Sequence, residues 1–297
     1  DVNSIANEIY DNDVFNSNIR YSRTNSNRYC KNNVGNRYFN GARGPTCTCF
    51  TIESGTEINN NITLCQENYR LPESIFIRQD GVVLDCNGAF LLGGGGGSGI
   101  DASYADNAVI KNCNIKNFAY GILASYSGPE NCDVPSGNLI EDNTFEGNYA
   151  GVLLRGDDCE AVHNNTIKGN TFRSNTNIGI FLGSGSFNTI TQNTFSNNTN
   201  YAIMTDVNSI ANEIYDNDVF NSKIGIYLEG SRGSIISGND INSLSKGVLL
   251  VNGAANNSFK GNSIIGSLYN MENDQGAAVE AKNNWWGTAE KSKIEEK

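Results

Sequence analysis

Three aspartates, Asp216, Asp218 and Asp240, are the residues of this chain best suited to chemistry. Asp218 and Asp240 each follow an asparagine of a recurring frame, on what must be neighbouring repeats, and Asp216 is close by. Two stacked carboxylates suit an acid/base pair or a Ca2+ ion. No Lys or Arg shares their column, so they equally fit solvated turn acids. A second acidic group, Asp157, Asp158 and Glu160 with Asp133 before it, reads as a solvated loop rather than a Ca2+ site. His163 is the sole histidine and has no orienting acid beside it in sequence. Gly93 to Gly97 lacks the Lys-Ser/Thr of a phosphate loop and precedes no helix, so it reads as a flexible turn. The sequence therefore assigns no catalytic residue and no resident cofactor, with Ca2+ the one ion the aspartates could take.

The elements that would position these residues are set by an internal repeat. The frame N-x-I-x-x-N-x-[IVF] appears from Asn138, Asn165, Asn188, Asn212 and Asn257, with a looser copy from Ser234. Its second asparagine falls at Asn143, Asn170, Asn193, Asn217, Asn239, Asn262 and Asn284, with Cys113 in the same place one repeat earlier. Three positions before this column stand Ile110, Ile140, Ile167, Ile190, Ile214, Ile236 and Phe259. Two positions after it stand Ile115, Phe145, Phe172, Phe195, Val219, Ile241, Ile264 and Trp286. A small residue then precedes an apolar one, as in Gly151-Val152, Gly179-Ile180 and Gly225-Ile226. The units leave no room for a helix, and their alternation is that of short strands. An all-strand unit of about 22–24 residues predicts an all-β parallel β-helix, each rung stacked about 4.8 Å above the last. The asparagine column is expected at a tight turn, in the left-handed conformation, hydrogen-bonded up the stack.

Composition agrees. Of 297 residues, 48 are asparagine, a poor helix former that tolerates turns. A net charge of -11 argues against nucleic acid as a partner. No apolar run is long enough to span a membrane. The eight cysteines are Cys30, Cys47, Cys49, Cys65, Cys86, Cys113, Cys132 and Cys159, an even number that suggests disulfides in an oxidising compartment. Cys86 and Cys113 sit on adjacent rungs, and Cys132 and Cys159 in neighbouring loop insertions, so either pair could bridge; connectivity stays open. Asn61, Asn164, Asn197 and Asn256 begin N-x-S/T sequons, candidates for glycosylation, although several would arise by chance at this asparagine content.

The frame, the stretch from Val82 to Ile100, the stretch from Asn107 to Ile122 and the closing Lys282 to Thr288 resemble right-handed parallel β-helix repeat proteins. These form the NosD-type, carbohydrate-binding and sugar-hydrolase group, with its archaeal and bacterial surface members. The resemblance covers roughly residues 46–288. It implies the right-handed coil and proximity of Cys49 to Cys65. It says little about activity, since the group holds lyases, hydrolases, epimerases and non-catalytic surface proteins. It also raises copper, but one histidine with Met204 and Met271 gives no ligand set.

Four segments follow: 1–17, an isolated rung-like strand; 18–75, an irregular Cys-containing cap; 76–288, the β-helix; and 289–297, a charged tail. Trp285 and Trp286 suit the cap of the C-terminal end. The chain begins at Asp1 without an initiator Met, as a processed chain or a part of a longer one would. Residues 1–17 are identical to 206–222, either a recently duplicated rung or an assembly artefact of the sequence. Such a free rung would pair with an exposed sheet end of its own coil or of the next molecule, head to tail. Alternation places Leu123, Leu153, Phe181, Met204, Tyr227 and Leu249 outward in one apolar stripe, the mark of an interface. The cap folding back over it, a neighbouring molecule and a stacked sugar are all open. The leading expectation is an extracellular or cell-surface structural β-helix that self-assembles as a filament or surface-layer subunit without catalysis. The alternative is a polysaccharide-binding protein or a Ca2+-dependent polysaccharide lyase or hydrolase, with a glycan as partner.

Overall fold

A computed structural model describes residues 49–125, 134–157, 160–274 and 279–287, and the backbone of two short antiparallel strands, Arg23–Thr24 and Asn27–Arg28. The segments 1–17 and 289–297, Cys132, Cys159, Asp133 and Asp158 lie outside the described residues.

The chain winds as a parallel β-helix. Three parallel sheets of 10, 9 and 10 strands take successive strands in rotation, so each strand pairs with its counterparts on the neighbouring turns; Val162–His163 and Gly185–Ser186 interrupt the rotation and pair with each other in a short parallel sheet of their own. The first sheet runs from Ile62–Thr63 to Glu280–Lys282, and the second from Asn68–Arg70 to Ser263–Ile264. The third, the long-strand sheet, runs from Glu57–Ile58 to Tyr269–Asn273 and holds six-residue strands such as Ala150–Arg155 and Ile178–Gly183. The stack thus reaches back to Glu57, into the 18–75 stretch that the sequence reads as irregular. The apolar columns fill the interior in register: Ile140, Ile167, Ile190, Ile214, Ile236 and Phe259 are all buried.

The asparagine column lies vertically, as the repeat predicts. The side-chain amide of Asn143 donates to Oδ1 of Asn170 at 3.0 Å, and the same bond links Asn170 to Asn193, Asn193 to Asn217, and Asn217 to Asn239, each at 3.0 Å. It continues from Asn239 to Asn262 and from Asn262 to Asn284 at 2.9 Å. Each Oδ1 also accepts the backbone N–H of the residue one rung earlier, and each Nδ2 gives a proton to the carbonyl of an earlier Ile or, at Asn284, of Phe259. Every polar atom of these buried amides is therefore used, which is what permits them in a dry interior.

Two points correct the sequence reading. The ladder asparagines do not adopt the left-handed conformation; the residue before each one does. Asp142, Gln192, Asp216 and Asn283 have φ of 53° to 57°, and Gly169, Gly238 and Gly261 fill the same corner on other rungs. Secondly, there are three corners and three ladders. Asn138, Asn165, Asn188 and Asn212 line another corner, and Asn148, Asn175 and Asn198 the third. Each again follows a left-handed residue, such as Asn164 or Asn197. Asparagine thus has two roles here: exposed turn former and buried rung-to-rung connector.

The small-residue column also has a packing cause. Phe145, Phe172 and Phe195 stack with centroids 4.8 Å apart. A Cβ on Gly151 would lie 2.5 Å from the Phe172 ring, and one on Gly179 2.7 Å from that of Phe195. Glycine at these places lets the backbone pass over the aromatic stack. Cys49 pairs with Cys65 and Cys86 with Cys113, at the N-terminal end of the coil. Trp286 packs against the core at the other end.

Candidate functional site

The outward stripe of the long-strand sheet is real. Leu123, Leu153, Phe181, Met204, Tyr227 and Leu249 occupy one registered column. It continues to Asp101 and Phe76 at one end and to Glu272 at the other. The five from Leu123 to Tyr227 are half-buried by their neighbours. Leu249 departs from the expectation, since it is buried at 7% exposure.

Polar and aromatic groups flank the stripe. On one side, in the next registered column, stand half-buried Tyr120, Tyr201 and Lys246, with buried Ala150, Ile178 and Ile224 between them. The rings of Tyr201 and Tyr227 lie 5.0 Å apart, tilted by 47°. Lys246 Nζ is held by Glu272 at 2.7 Å. On the other side stand Ser125, Arg155 and Gly183 in register, followed along the coil by Asp206 and Glu229. Tyr227 Oη donates to Glu229 Oε2 at 3.4 Å, and Asn252 Nδ2 donates to Glu229 Oε1 at 2.7 Å. Asp206 Oδ1 accepts the backbone N–H of Ser184 at 3.0 Å.

The electrostatics follow from this crowding. Burial, with the charge of Glu229 and the neighbouring Tyr201, pushes the Tyr227 phenol up to about 12. It is therefore a neutral donor at physiological pH rather than a base. Burial also raises the Asp206 carboxyl above its ordinary value, with Glu229 adding to the rise, while the Ser184 N–H and Arg155 oppose it. The face thus combines an apolar and aromatic floor with carboxylates that accept hydrogen bonds. Arg155, Asp206 and Glu229 were missed in the sequence. The signal was present: they sit two positions beyond the outward stripe, where alternation makes them outward again.

The residues singled out in sequence are more scattered. Asp218 and Asp240 are registered neighbours, both exposed, at the start of second-sheet strands. Asp216 is not beside them in the strand but at the left-handed corner, also exposed. Asp157 accepts the Glu160 backbone N–H at 2.9 Å, a local turn. His163 contacts Glu160 at 3.5 Å and Asn164 at 3.0 Å. Among the described residues no group of three His, Cys, Asp or Glu side chains converges as a metal site. The soft donors do not meet either: Met204 faces outward on the long-strand sheet, Met271 packs against the core and the described cysteines are in disulfides.

The sequon asparagines Asn61, Asn164, Asn197 and Asn256 are all exposed. For the last three the sequon is a product of the corner itself: a left-handed Asn, then a buried connector at Asn165, Asn198 or Asn257, then Thr or Ser.

Several solved structures share this architecture. The A-module of the Azotobacter vinelandii mannuronan C-5 epimerase AlgE6 matches with a TM-score of 0.65 and 15% identity, over 78% of this chain and 65% of that one. The periplasmic alginate epimerase AlgG matches with a TM-score of 0.57 and 15% identity, over 73% of this chain and 61% of that one. The A-module of A. vinelandii AlgE4 matches with a TM-score of 0.52 and 14% identity, over 76% and 62%. The chain thus spans less than two thirds of each of these structures, and at such identities the likeness is one of fold. No curated protein sequence matches the chain. Residues 58–296 match the family described as Periplasmic copper-binding protein (NosD), and the chain belongs to that family.

Proposed function

We propose that this protein binds a polysaccharide laid along the long-strand face, outside the cytoplasm. The single observation that carries the reading is the set of Phe181, Tyr201 and Tyr227 on the same outward face as Asp206 and Glu229. Pyranoses present C–H faces to aromatic rings and hydroxyls to carboxylates. The rung repeat, seen in the 4.8 Å stacking of the core phenylalanines, is close to the residue repeat of an extended sugar chain, so successive sugars would meet equivalent columns. The disulfides support an oxidising compartment, periplasm or cell surface. The alginate epimerases that share the fold support a polysaccharide ligand.

The self-assembling structural role expected from the apolar stripe has no support in these relatives, and the stripe is better used as a sugar platform. Copper does not fit: the described His and Met donors lie apart and the described cysteines are paired. The four sequon asparagines Asn61, Asn164, Asn197 and Asn256 are all exposed, which leaves each of them open to glycan attachment.

The test is binding of the chain to a panel of neutral and acidic polysaccharides by affinity electrophoresis, with Tyr227→Ala and Tyr201→Ala beside it. Retardation by at least one glycan, lost in both variants, is expected. Retention unchanged by either substitution would place the site elsewhere.

A further inference from the structure

We propose that Gly183 is the specificity-determining position of a subsite for an uncharged pyranose, a claim that rests on the polysaccharide-binding reading above. Its strand neighbour Arg155 and the following Asp206 and Glu229 all carry charged side chains along the same edge of the face. Gly183 is bare, and neither backbone nor core requires it. Its φ lies outside the left-handed region, so alanine could adopt the same conformation. The atoms nearest to a Cβ there would belong to outward side chains, Phe181 Cε1 at 2.9 Å and Asp206 Oδ2 at 3.1 Å. Gly151 and Gly179 are different, because their Cβ would strike the buried Phe stack and the next strand's carbonyl.

What the missing side chain permits is a particular placement of Asp206. Its Oδ1 takes the Ser184 N–H at 3.0 Å, and its Oδ2 lies down over Gly183 next to the Phe181 ring. A fixed carboxylate beside an aromatic edge is the pairing a pyranose needs: hydroxyls for the oxygen atoms, a C–H face for the ring. Arg155 bounds the subsite one rung away. A hydroxyl donor also relieves the partial desolvation of Asp206 that its raised pKa reports.

Charge then selects the class of sugar. Asp101, Asp206, Glu229 and Glu272 face this side, against Arg155 and Lys246, and Glu272 already holds Lys246. The whole chain carries a net charge of -11. A polyuronate would bring one negative charge per residue to a face that is already acidic. A neutral hexose polymer brings donors without that repulsion.

The experiment measures binding of neutral glucans and mannans, and of polymannuronate and polygalacturonate, by calorimetry. The intact chain, Gly183→Ala and Asp206→Asn are compared, with thermal midpoints taken alongside. The expected result is neutral-glycan binding by the intact chain, weakened about tenfold or more in both variants. The Asp206→Asn midpoint should stay within about 2 °C of the parent, since the half-buried side chain keeps its size; position 183 is itself buried and its new methyl presses on the Phe181 ring, so the Gly183→Ala midpoint shows whether binding is lost without unfolding. A preference for the polyuronates, or neutral-glycan affinity unchanged in Gly183→Ala, overturns the subsite while leaving a glycan-binding face. No binding of any glycan by the intact chain overturns the polysaccharide reading and the subsite with it.

Discussion

Cys113 stands where the next rungs place a ladder asparagine, and its backbone N–H donates to Oδ1 of Asn143 at 2.9 Å. Its own side chain closes instead on Cys86, with the two Cα atoms 4.8 Å apart, one rung spacing. The disulfide thus replaces the amide ladder at the N-terminal end of the coil, where fewer rungs remain to stack upon. Replacing both cysteines by alanine should destabilise the protein by about 3.5 kcal/mol in the chain-entropy picture for a loop of this length. Combining Cys86→Ala with Cys113→Asn should recover about 1 kcal/mol, because the new amide can donate to Asn143. Denaturant unfolding under non-reducing conditions checks both, and equal stability of the two double variants would refute the equivalence of disulfide and ladder.

The two kinds of corner residue, the buried ladder asparagine and the exposed left-handed residue before it, should respond oppositely to substitution. Asn193→Ala deletes a fully bonded buried amide and takes the acceptor from the Asn170 backbone N–H and side-chain amide, while Asn217 Oδ1 keeps only the backbone N–H of residue 193. A loss of about 3 kcal/mol or more is expected. Its neighbour Gln192 sits at φ 56° on the surface, so Gln192→Gly should be neutral or stabilising by up to about 1 kcal/mol. Urea midpoints of the two variants decide the matter.

Gly151→Ala places a methyl group 2.5 Å from Phe172 and 2.7 Å from the Gly179 carbonyl oxygen. Neither can withdraw from a packed stack, so the variant should lose about 3 kcal/mol or fail to fold. Soluble expression and near-ultraviolet circular dichroism report the outcome. A native-like spectrum with an unchanged melting midpoint would show that the coil can widen locally.

Glu146 lies between Lys116 and Arg173, each at 2.7 Å. Their hydrogen bonds, Lys116 first and then Arg173, hold its carboxyl below the ordinary value of 4.5. A carboxyl with a lowered folded-state pKa adds stability above that ordinary value and loses it as pH falls through the folded one. Glu146→Gln should therefore lower stability at pH 7 but not in strong acid. Glu146 is 34% exposed and Arg173 49%, so solvent screens them and the difference should stay within about 1 kcal/mol and shrink in salt. Melting curves across pH at two ionic strengths test this; a gap that persists at pH 2 would contradict the assignment.

Tyr227 should ionise well above the ordinary range of a tyrosine phenol. Its phenol is pushed up to about 12 by burial, Glu229 and Tyr201. Alkaline difference spectra of the parent minus Tyr227→Phe should isolate one late-titrating phenol. A component near 10 would mean that Glu229 and burial do not act on it as the geometry requires.

The coil was legible in the chain because stacking makes every rung repeat the same constraint. The columns led by Ile140, Phe145 and Asn143 could be read by spacing alone, since a residue that misses its column loses partners both above and below. The small residues at Gly151 and Gly179 were visible as a pattern, but their cause, the Phe172 and Phe195 rings beneath them, needed the packing. The left-handed corner was misplaced by one residue. Sequence shows that Asp142-Asn143 or Gln192-Asn193 forms a turn, while only the hydrogen-bond geometry tells which of the two points inward. The candidate site was hidden for a further reason. Arg155, Gly183, Asp206 and Glu229 share no residue type, so no column announces them, and only the register of the long strands lines them up. The amino-acid sequence determined the winding, because burial and amide pairing recur with its period. The tertiary structure decided where chemistry can occur, because an outward position is free of that period and acquires meaning only from what stands on the next rung.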